Sequence, residues 1–171
     1  MIFAKDMFSH KRMINRNFFS ILFVIFIFIF DRLTKLWVLS ASKNLEQFNI
    51  SITSFLNLKL VWNNGVAFGL LSFNDEIIYN IITTLIFLII LYLFFLSFKS
   101  SESHEKIALN MILGGGIGNI FDRIYYSSVI DFIDINYNNF HWFIFNIADI
   151  FITCGIIMLI MLEILKTKKH V

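Results

Sequence analysis

The sequence predicts an all-α membrane protein with four transmembrane helices and a small β-sheet on the outer side after the first helix. Of the 171 residues, 58% are hydrophobic, whereas soluble globular domains average about 45–50% apolar residues. Four long apolar segments follow one another, and basic residues concentrate in alternate segments between them. These patterns indicate a single polytopic membrane domain over residues 1–171.

The first predicted span covers about residues 17–41. Four basic residues precede it, as in a secretory signal peptide, but no small-x-small cleavage site follows the apolar run. The sequence therefore predicts a retained membrane helix. Asp31, Thr34 and Lys35 share one helical face, and Asp31 and Lys35 have the spacing of an ion pair. We expect this pair to be buried at the helix end, where it positions its neighbours.

The predicted sheet occupies about residues 42–76. Apolar side chains alternate with mostly polar ones from Leu56 to Trp62, which is typical of a half-buried strand. The turn signal Asn63–Gly65 follows, and residues 66–71 are predicted to return as a second strand.

The other three spans differ in composition. The second, about residues 77–98, contains no charged residue. The third, about 107–125, has four glycines within positions 114–118, which weaken a helix unless another backbone approaches closely. The fourth, about 142–165, has Asp149 as its only charged residue up to Leu162.

Basic residues in the short connections predict the orientation. The segments before the first span, between the second and third, and after the fourth carry four, two and three Lys or Arg residues. The two remaining connections carry only Lys43 and Lys59. Both termini are therefore predicted to be cytoplasmic. Four carboxylates then fall near the outer face: Asp31, Asp122, Asp131 and Asp149.

Asp131 and Asp149 are the strongest candidates for chemistry. A carboxylate inside a span is costly and usually functional. Asp131 lies just before the span that holds Asp149, and we expect it to lie nearer to water than Asp122. Two neighbouring carboxylates can share one proton and activate a water molecule for peptide hydrolysis. The alternative for Asp149 is a polar clamp with Asn146, three residues away on the same face.

A second polar group lies at the end of the third span. Asn119, Asp122 and Arg123 are spaced three and four residues apart and share a face. A packing cluster and a direct chemical role are both open for them. Because adjacent helical residues do not face each other, Asp122 and Arg123 are not expected to pair.

The composition excludes several classes of protein. A net charge of +2 gives no electrostatic support for nucleic-acid binding. Cys154 is the only cysteine and lies in an apolar run, so no intramolecular disulfide and no metal site are predicted. No cofactor is predicted either.

Five sequence blocks carry a family resemblance. In chain order they are Asp31–Lys35, Asn63–Gly69, Gly114–Arg123, Val129–Phe132 and Phe145–Asp149. Each block alone is a weak signal, but the five in this order resemble the lipoprotein signal peptidase family, also called signal peptidase II. Gly116 stands where many members have alanine, and this departure touches none of the candidate residues.

The resemblance implies an aspartic endopeptidase of the bacterial inner membrane that removes signal peptides from diacylglyceryl-modified prolipoproteins. It implies a periplasmic sheet after the first helix and an active site near the periplasmic face. Asp131 and Asp149 match the family's catalytic pair. The family's supporting polar residues correspond to Asp31, Asn63, Asn119, Asp122, Arg123 and Asn146. The expected partners are a lipid-modified prolipoprotein and membrane lipid; the protein is expected to function as a monomer, without cofactor, metal or nucleic acid.

A small polytopic transporter or proton-relay protein is the main alternative, because buried carboxylates also relay ions. The lack of an inverted repeat and the clustering of the carboxylates near one face argue against it. A structural membrane subunit would leave the predicted Asp131–Asp149 pairing and the predicted sheet unexplained.

Overall fold

The computed structural model describes residues 2–43, 45, 48–65, 76–137 and 140–167, with backbone only for 2–14, 141 and 142. Within these ranges the chain forms four helices and one four-stranded antiparallel sheet. In chain order the elements are α1 (Ile2–Ser42), β1 (Asn49–Ser51), β2 (Leu56–Asn63), α2 (Glu76–Lys99), α3 (Ser103–Tyr126), β3 (Val129–Tyr137), β4 (Phe140–Phe145) and α4 (Ile147–Thr167).

Helix α3 lies at the centre and packs against α1, α2 and α4. Its contact with α4 is close enough for backbones to touch. A Cβ atom on Gly155 of α4 would lie only 2.7 Å from the carbonyl oxygen of Ala108 in α3. On the α3 side, Gly115 lies in the same way against the carbonyl oxygen of Ala148. The expectation that the glycines of α3 serve close helix approach is confirmed.

Two helices of the described ranges, α2 and α4, are long and apolar enough to cross a membrane. Most side chains of α2 are exposed, and Tyr79 and Ser97 are its buried residues. Helix α1 is longer than predicted, because it begins at Ile2 rather than near residue 17. At about 1.5 Å per residue its 41 residues extend roughly 60 Å.

The sheet has the strand order β1-β2-β3-β4, with every neighbour antiparallel. It packs on the C-terminal end of α1 through a small core of buried apolar residues: Val38, Phe48, Ile130 and Phe132. The strand predicted from Leu56 is confirmed as β2. The return strand predicted for residues 66–71 lies outside the described residues.

Two expectations about boundaries are wrong. The sheet is not confined to residues 42–76, because β3 and β4 follow α3 and supply half of it. The fourth helix begins at Ile147 rather than near residue 142, because Phe140–Phe145 form β4. The aromatic and β-branched side chains of β4 are as apolar as the helix that follows, so hydropathy merges the two elements.

A β-bulge in β2 changes which side chains face the helices. Leu58 pairs with Ile133 and Val61 pairs with Asp131, so β2 has one residue more than β3 over this stretch. One extra residue reverses the alternation of side chains. Trp62 is therefore 46% exposed and Asn63 is buried, contrary to the single apolar face predicted through Trp62. The bulge places Asn63 on the same face of the sheet as Asp131.

Candidate active site

Four charged side chains form a buried ionic cluster between α1 and α3. The Asp31 carboxylate lies 2.9 Å from Lys35 Nζ and 3.0 Å from Arg32 Nη2. The Asp122 carboxylate lies 2.7 Å from Lys35 Nζ and 2.5 Å from Arg32 Nη1. Two carboxylates and two cations cancel in formal charge, so neither sign is left unpaired in the interior. The ion pair predicted between Asp31 and Lys35 is confirmed.

The ionic cluster is larger than the predicted Asp31–Lys35 pair, because Arg32 and Asp122 join it. Thr34 does not join it, because its hydroxyl donates to the carbonyl oxygens of Phe30 and Asp31 in its own helix. Arg32 was missed, although two aspartates and one lysine leave a charge imbalance that a second cation must correct. Counting charges over α1 and α3 together is the signal that could have found it.

The ionic cluster also fixes the start of α4. Asn146 caps this helix: its Oδ1 accepts the Asp149 backbone N–H at 3.0 Å, and the Asp149 carboxylate accepts the Asn146 backbone N–H at 3.3 Å. This reciprocal arrangement is a capping box. The next free donor, the N–H of Ala148, is accepted by the Asp31 carboxylate at 3.1 Å. Asp149 is therefore held at the positive end of the α4 dipole.

The lack of a side chain at Gly118 leaves the space that the Asp31 carboxylate occupies. A Cβ atom at Gly118 would lie 2.6 Å from Asp31 Oδ2, a distance that no real side chain tolerates. A glycine at this position therefore allows α1 and α3 to approach while Asp31 keeps its partners.

Asp131 lies on β3 and accepts hydrogen bonds from two side-chain amides. Asn63 Nδ2 donates to it at 2.8 Å and Asn146 Nδ2 at 2.6 Å. Asp131 and Asp122 are 1% and 0% exposed, so both carboxylates are buried, and the expectation that Asp131 lies nearer to water stays a prediction. The sheet covers Asp131, and the β3 and β4 half of that sheet was not predicted from the sequence.

A chain of amides joins the two candidate aspartates. Asn146 Nδ2 lies 3.2 Å from Asn119 Oδ1 while it also donates to Asp131. Asn119 Nδ2 donates to the Asp149 carboxylate at 2.8 Å, and Asn119 Oδ1 accepts from Lys35 Nζ at 3.0 Å. The order Asp131–Asn146–Asn119–Asp149 is therefore continuous and is anchored to the ionic cluster.

Asp131 and Asp149 line the same cavity, which has a volume of about 530 Å³. Its polar end also includes Asn63, Asn119 and Arg123. The remaining walls come from α2, α3, α4 and the start of β3 and are almost entirely apolar: Ile86, Ile89, Ile90, Leu93, Ile112, Gly116, Val129, Ile152, Thr153, Ile156 and Leu159. The carboxylates thus stand at the head of an apolar groove.

Burial and, to a smaller extent, the nearby charge of Asp149 raise the pKa of Asp131 to about 7. The hydrogen bonds from Asn63 and Asn146 and the charge of Lys35 act in the opposite direction but do not cancel these effects. Near neutral pH the Asp131 carboxyl group is therefore partly protonated, unlike an ordinary surface aspartate.

Arg123 points away from Asp122 and holds the chain after β2. It donates to the Gly65 carbonyl oxygen, and its guanidinium carbon lies 5.2 Å from the centroid of the Tyr79 ring. Gly65 N–H in turn donates to Asn63 Oδ1 at 2.8 Å, which closes the predicted turn. The expectation that Asp122 and Arg123 do not pair with each other is confirmed, while Tyr79 was not foreseen.

All eight residues singled out from the sequence come together around this site: Asp31, Asn63, Asn119, Asp122, Arg123, Asp131, Asn146 and Asp149. In the described parts of the chain, no three His, Cys, Asp or Glu side chains converge as a metal site.

Comparison with known proteins decides the family. The profile of the Peptidase_A8 family, described as "Signal peptidase (SPase) II", matches residues 23–165, which include all eight of these residues. The chain belongs to the signal peptidase II family. A lipoprotein signal peptidase of Pelagibacter ubique (strain HTCC1062) is 45% identical over 155 residues, covering 90% of this chain and 93% of that protein.

Two further lipoprotein signal peptidases are similar at lower identity. The lipoprotein signal peptidase of Clostridium novyi (strain NT) is 36% identical over 141 residues, which is 82% of this chain and 93% of that protein. That of Francisella tularensis subsp. novicida (strain U112) is 41% identical over 126 residues, covering 71% and 77%.

Two solved structures are similar to the whole fold. A bacterial membrane enzyme solved by the in meso method at 2.3 Å has a TM-score of 0.71 and 34% identity, covering 88% of this chain and 90% of its own. A second, solved by the same method at 1.9 Å, has a TM-score of 0.65 and 32% identity, covering 84% and 91%.

Proposed function

We propose that the chain is an aspartic endopeptidase that removes signal peptides from diacylglyceryl-modified bacterial prolipoproteins, with Asp131 and Asp149 as its catalytic pair. One observation carries the chemistry: two buried carboxylates, joined through Asn146 and Asn119, stand at the head of one cavity. The relatives, which are named lipoprotein signal peptidases, support the substrate.

The proposed reaction needs one proton on the pair. We assign it to Asp131, whose pKa is raised to about 7. Asp149 acts as the base, because the positive end of α4 and the amide of Asn119 stabilise its carboxylate. Two like charges at such a site cannot both be favourable, so the proton separates their roles.

In the first step Asp149 takes a proton from water, whose oxygen attacks the scissile carbonyl carbon, while Asp131 donates its proton to the carbonyl oxygen. In the second step the C–N bond breaks and the leaving nitrogen takes the proton held by Asp149. The gem-diol returns a proton to Asp131 as the new carboxyl group forms. The pair ends in its starting state.

The apolar walls of the cavity support a lipid-embedded substrate. Side chains of α2 and α4, such as Ile90 and Ile156, line it below the carboxylates. Such a surface fits the apolar part of a signal peptide and its lipid-modified cysteine, with the scissile bond at the polar end.

The proposed topology has four spans, both termini in the cytoplasm and the aspartates near the periplasmic face of the inner membrane. The basic residues before α1's apolar part, between α2 and α3, and at the end of α4 support this orientation. The charged residues in the outer halves of these helices that form the ionic cluster, Asp31, Arg32 and Lys35 of α1 and Asp122 of α3, are buried between the two helices. They do not contact lipid, which supports α1 and α3 as spans. We also propose that a single chain suffices for activity, since every residue of the site comes from it.

A gel-shift assay with purified protein in detergent tests the function. A prolipoprotein carrying diacylglyceryl on its lipobox cysteine is expected to be shortened. The same prolipoprotein with that cysteine replaced by serine is expected to stay intact, because the lipid is part of what the groove binds. Failure to cut the lipidated protein, or equal cutting of both, would contradict the proposal.

The activity is expected to fall as the pH rises through about 7, where Asp131 loses its proton. Asn63 stabilises the ionised form of Asp131 through its hydrogen bond, so Asn63→Leu should raise this pKa. The alkaline limb of kcat/KM should then move upward by about one pH unit, the equivalent of one lost hydrogen bond to a charged group. A limb that stays in place or moves to lower pH would contradict the assigned proton.

A further inference from the structure

Two further cavities lie at the opposite end of the helices from the candidate active site. The larger, of about 300 Å³, is formed by facing stripes of α1 and α3. Each stripe has the i, i+3, i+4, i+7 spacing of one helical face: Arg16, Phe19, Ser20 and Phe23 on α1, and Ser103, Lys106, Ile107 and Asn110 on α3. The smaller cavity shares Arg16 and Lys106 and adds Lys99.

The cations of this region lack an anionic partner among the described side chains. Lys106 is only 6% exposed, and its Nζ donates to the neutral Oδ1 of Asn17 at 2.6 Å. Arg16 donates to the carbonyl oxygen of Ser101 at 2.6 Å. Within the described ranges, no carboxylate lines either cavity.

The nearest acidic residues along the chain are engaged elsewhere. Glu102 and Glu105 lie 3.2 Å and 4.0 Å from Lys166 on α4. A surface charge that serves only to orient the protein has no reason to be buried, whereas a buried ammonium group without an anion is costly. The arrangement is therefore that of an anion site whose ligand is not supplied by any described side chain.

The same groove offers an apolar surface next to the cations. Phe19 is 66% exposed and Ile107 is 44% exposed, and Phe23 lies one turn further along α1. Cations that line the groove and an open apolar stripe beside them match an amphiphile with a negatively charged head.

We propose that this groove binds an anionic phospholipid: Arg16 and Lys106 hold the headgroup phosphate, and an acyl chain lies over Phe19, Phe23 and Ile107. Lys106 has N–H donors left beyond its bond to Asn17, and Arg16 has them beyond its bond to Ser101. The site is independent of the peptidase chemistry, because it shares no residue with the cavity of Asp131 and Asp149. On the proposed topology it faces the cytoplasmic leaflet.

Native mass spectrometry can test this proposal on the full chain, released from nanodiscs that contain equal amounts of phosphatidylglycerol and phosphatidylcholine. The wild type is expected to retain phosphatidylglycerol preferentially. Arg16→Gln and Lys106→Gln should each reduce that preference about fivefold, which corresponds to about 1 kcal/mol per basic residue. Lys106→Arg should restore most of it. Lys166→Gln is the matched control, since it removes the same charge at the same end of the molecule but outside the groove, and it should leave the preference unchanged.

Two results would overturn the proposal. Equal loss in Lys166→Gln would show that bulk charge attracts the lipid. Displacement of the lipid by millimolar inorganic phosphate would show a site for free anions instead. Prolipoprotein cleavage in detergent by Arg16→Gln should equal that of the wild type, which shows that the variant is folded and separates this proposal from the peptidase function.

Discussion

Asp131→Asn and Asp149→Asn are each expected to reduce prolipoprotein cleavage by about 10⁴-fold or more, the effect of removing a general acid or base that acts as part of a unit. Asparagine has nearly the same shape as aspartate, but it can neither take a proton from water nor donate one to a carbonyl oxygen. The double variant should be no less active than either single variant, because each change already disables the pair.

Asp134→Asn is the matched control for this experiment. Asp134 lies on β3 like Asp131 and is equally buried, but it does not line the cavity. The control should cleave the lipidated substrate at nearly the wild-type rate. Residual activity within tenfold of wild type in either purified dyad variant would refute the assignment of that residue.

Asp122→Asn is expected to lower the free energy of unfolding by about 3–5 kcal/mol, the usual effect of removing one partner from a buried charge pair. Asp122 neutralises Arg32 and Lys35 at 2.5 Å and 2.7 Å. Without it, two cations share the single charge of Asp31. Asp131→Asn, at a residue whose hydrogen-bond partners are neutral amides, should melt close to the wild-type temperature. Thermal melts in one detergent at one heating rate make the comparison.

A second substitution separates loss of charge balance from loss of shape. Adding Lys35→Met to Asp122→Asn leaves Asp31 and Arg32 as a neutral pair, and much of the lost stability should return. Activity should not return, because Lys35 also donates to Asn119, the residue that orients Asp149. If Asp122→Asn melts like the wild type yet is inactive, Asp122 takes part in the chemistry and not in the support of the fold.

The presence of four helices and several local contacts of the candidate site could be predicted from the sequence. Hydropathy identifies α2 and α4, and periodicity places Asp31 with Lys35 and Asn146 with Asp149. These are local relationships, over three or four residues, so the geometry of one helix is enough to reveal them.

Contacts between segments that are distant in the chain could not be predicted from the sequence. Arg32 and Asp122 are 90 positions apart, and no periodicity connects them. The strands β3 and β4 were missed because one was taken for a connection and the other shares the hydropathy of α4. The bulge that turns Asn63 toward Asp131 is a single extra residue in the pairing of β2 with β3, and it exists only once both strands are formed.

The ionic cluster has a consequence for how the chain is made. On the proposed topology, α1 reaches the translocon first, and its own Asp31 and Lys35 neutralise each other while Arg32 is left without Asp122. At ribosomal speeds of about 5–20 residues per second, the partner emerges roughly 5–18 seconds later. During that interval an unpaired Arg32 makes α1 costly to place in open lipid alone. We therefore expect the release of α1 into the bilayer to be coupled to the arrival of α3, so that the timing between two helices matters for the biogenesis of this protein.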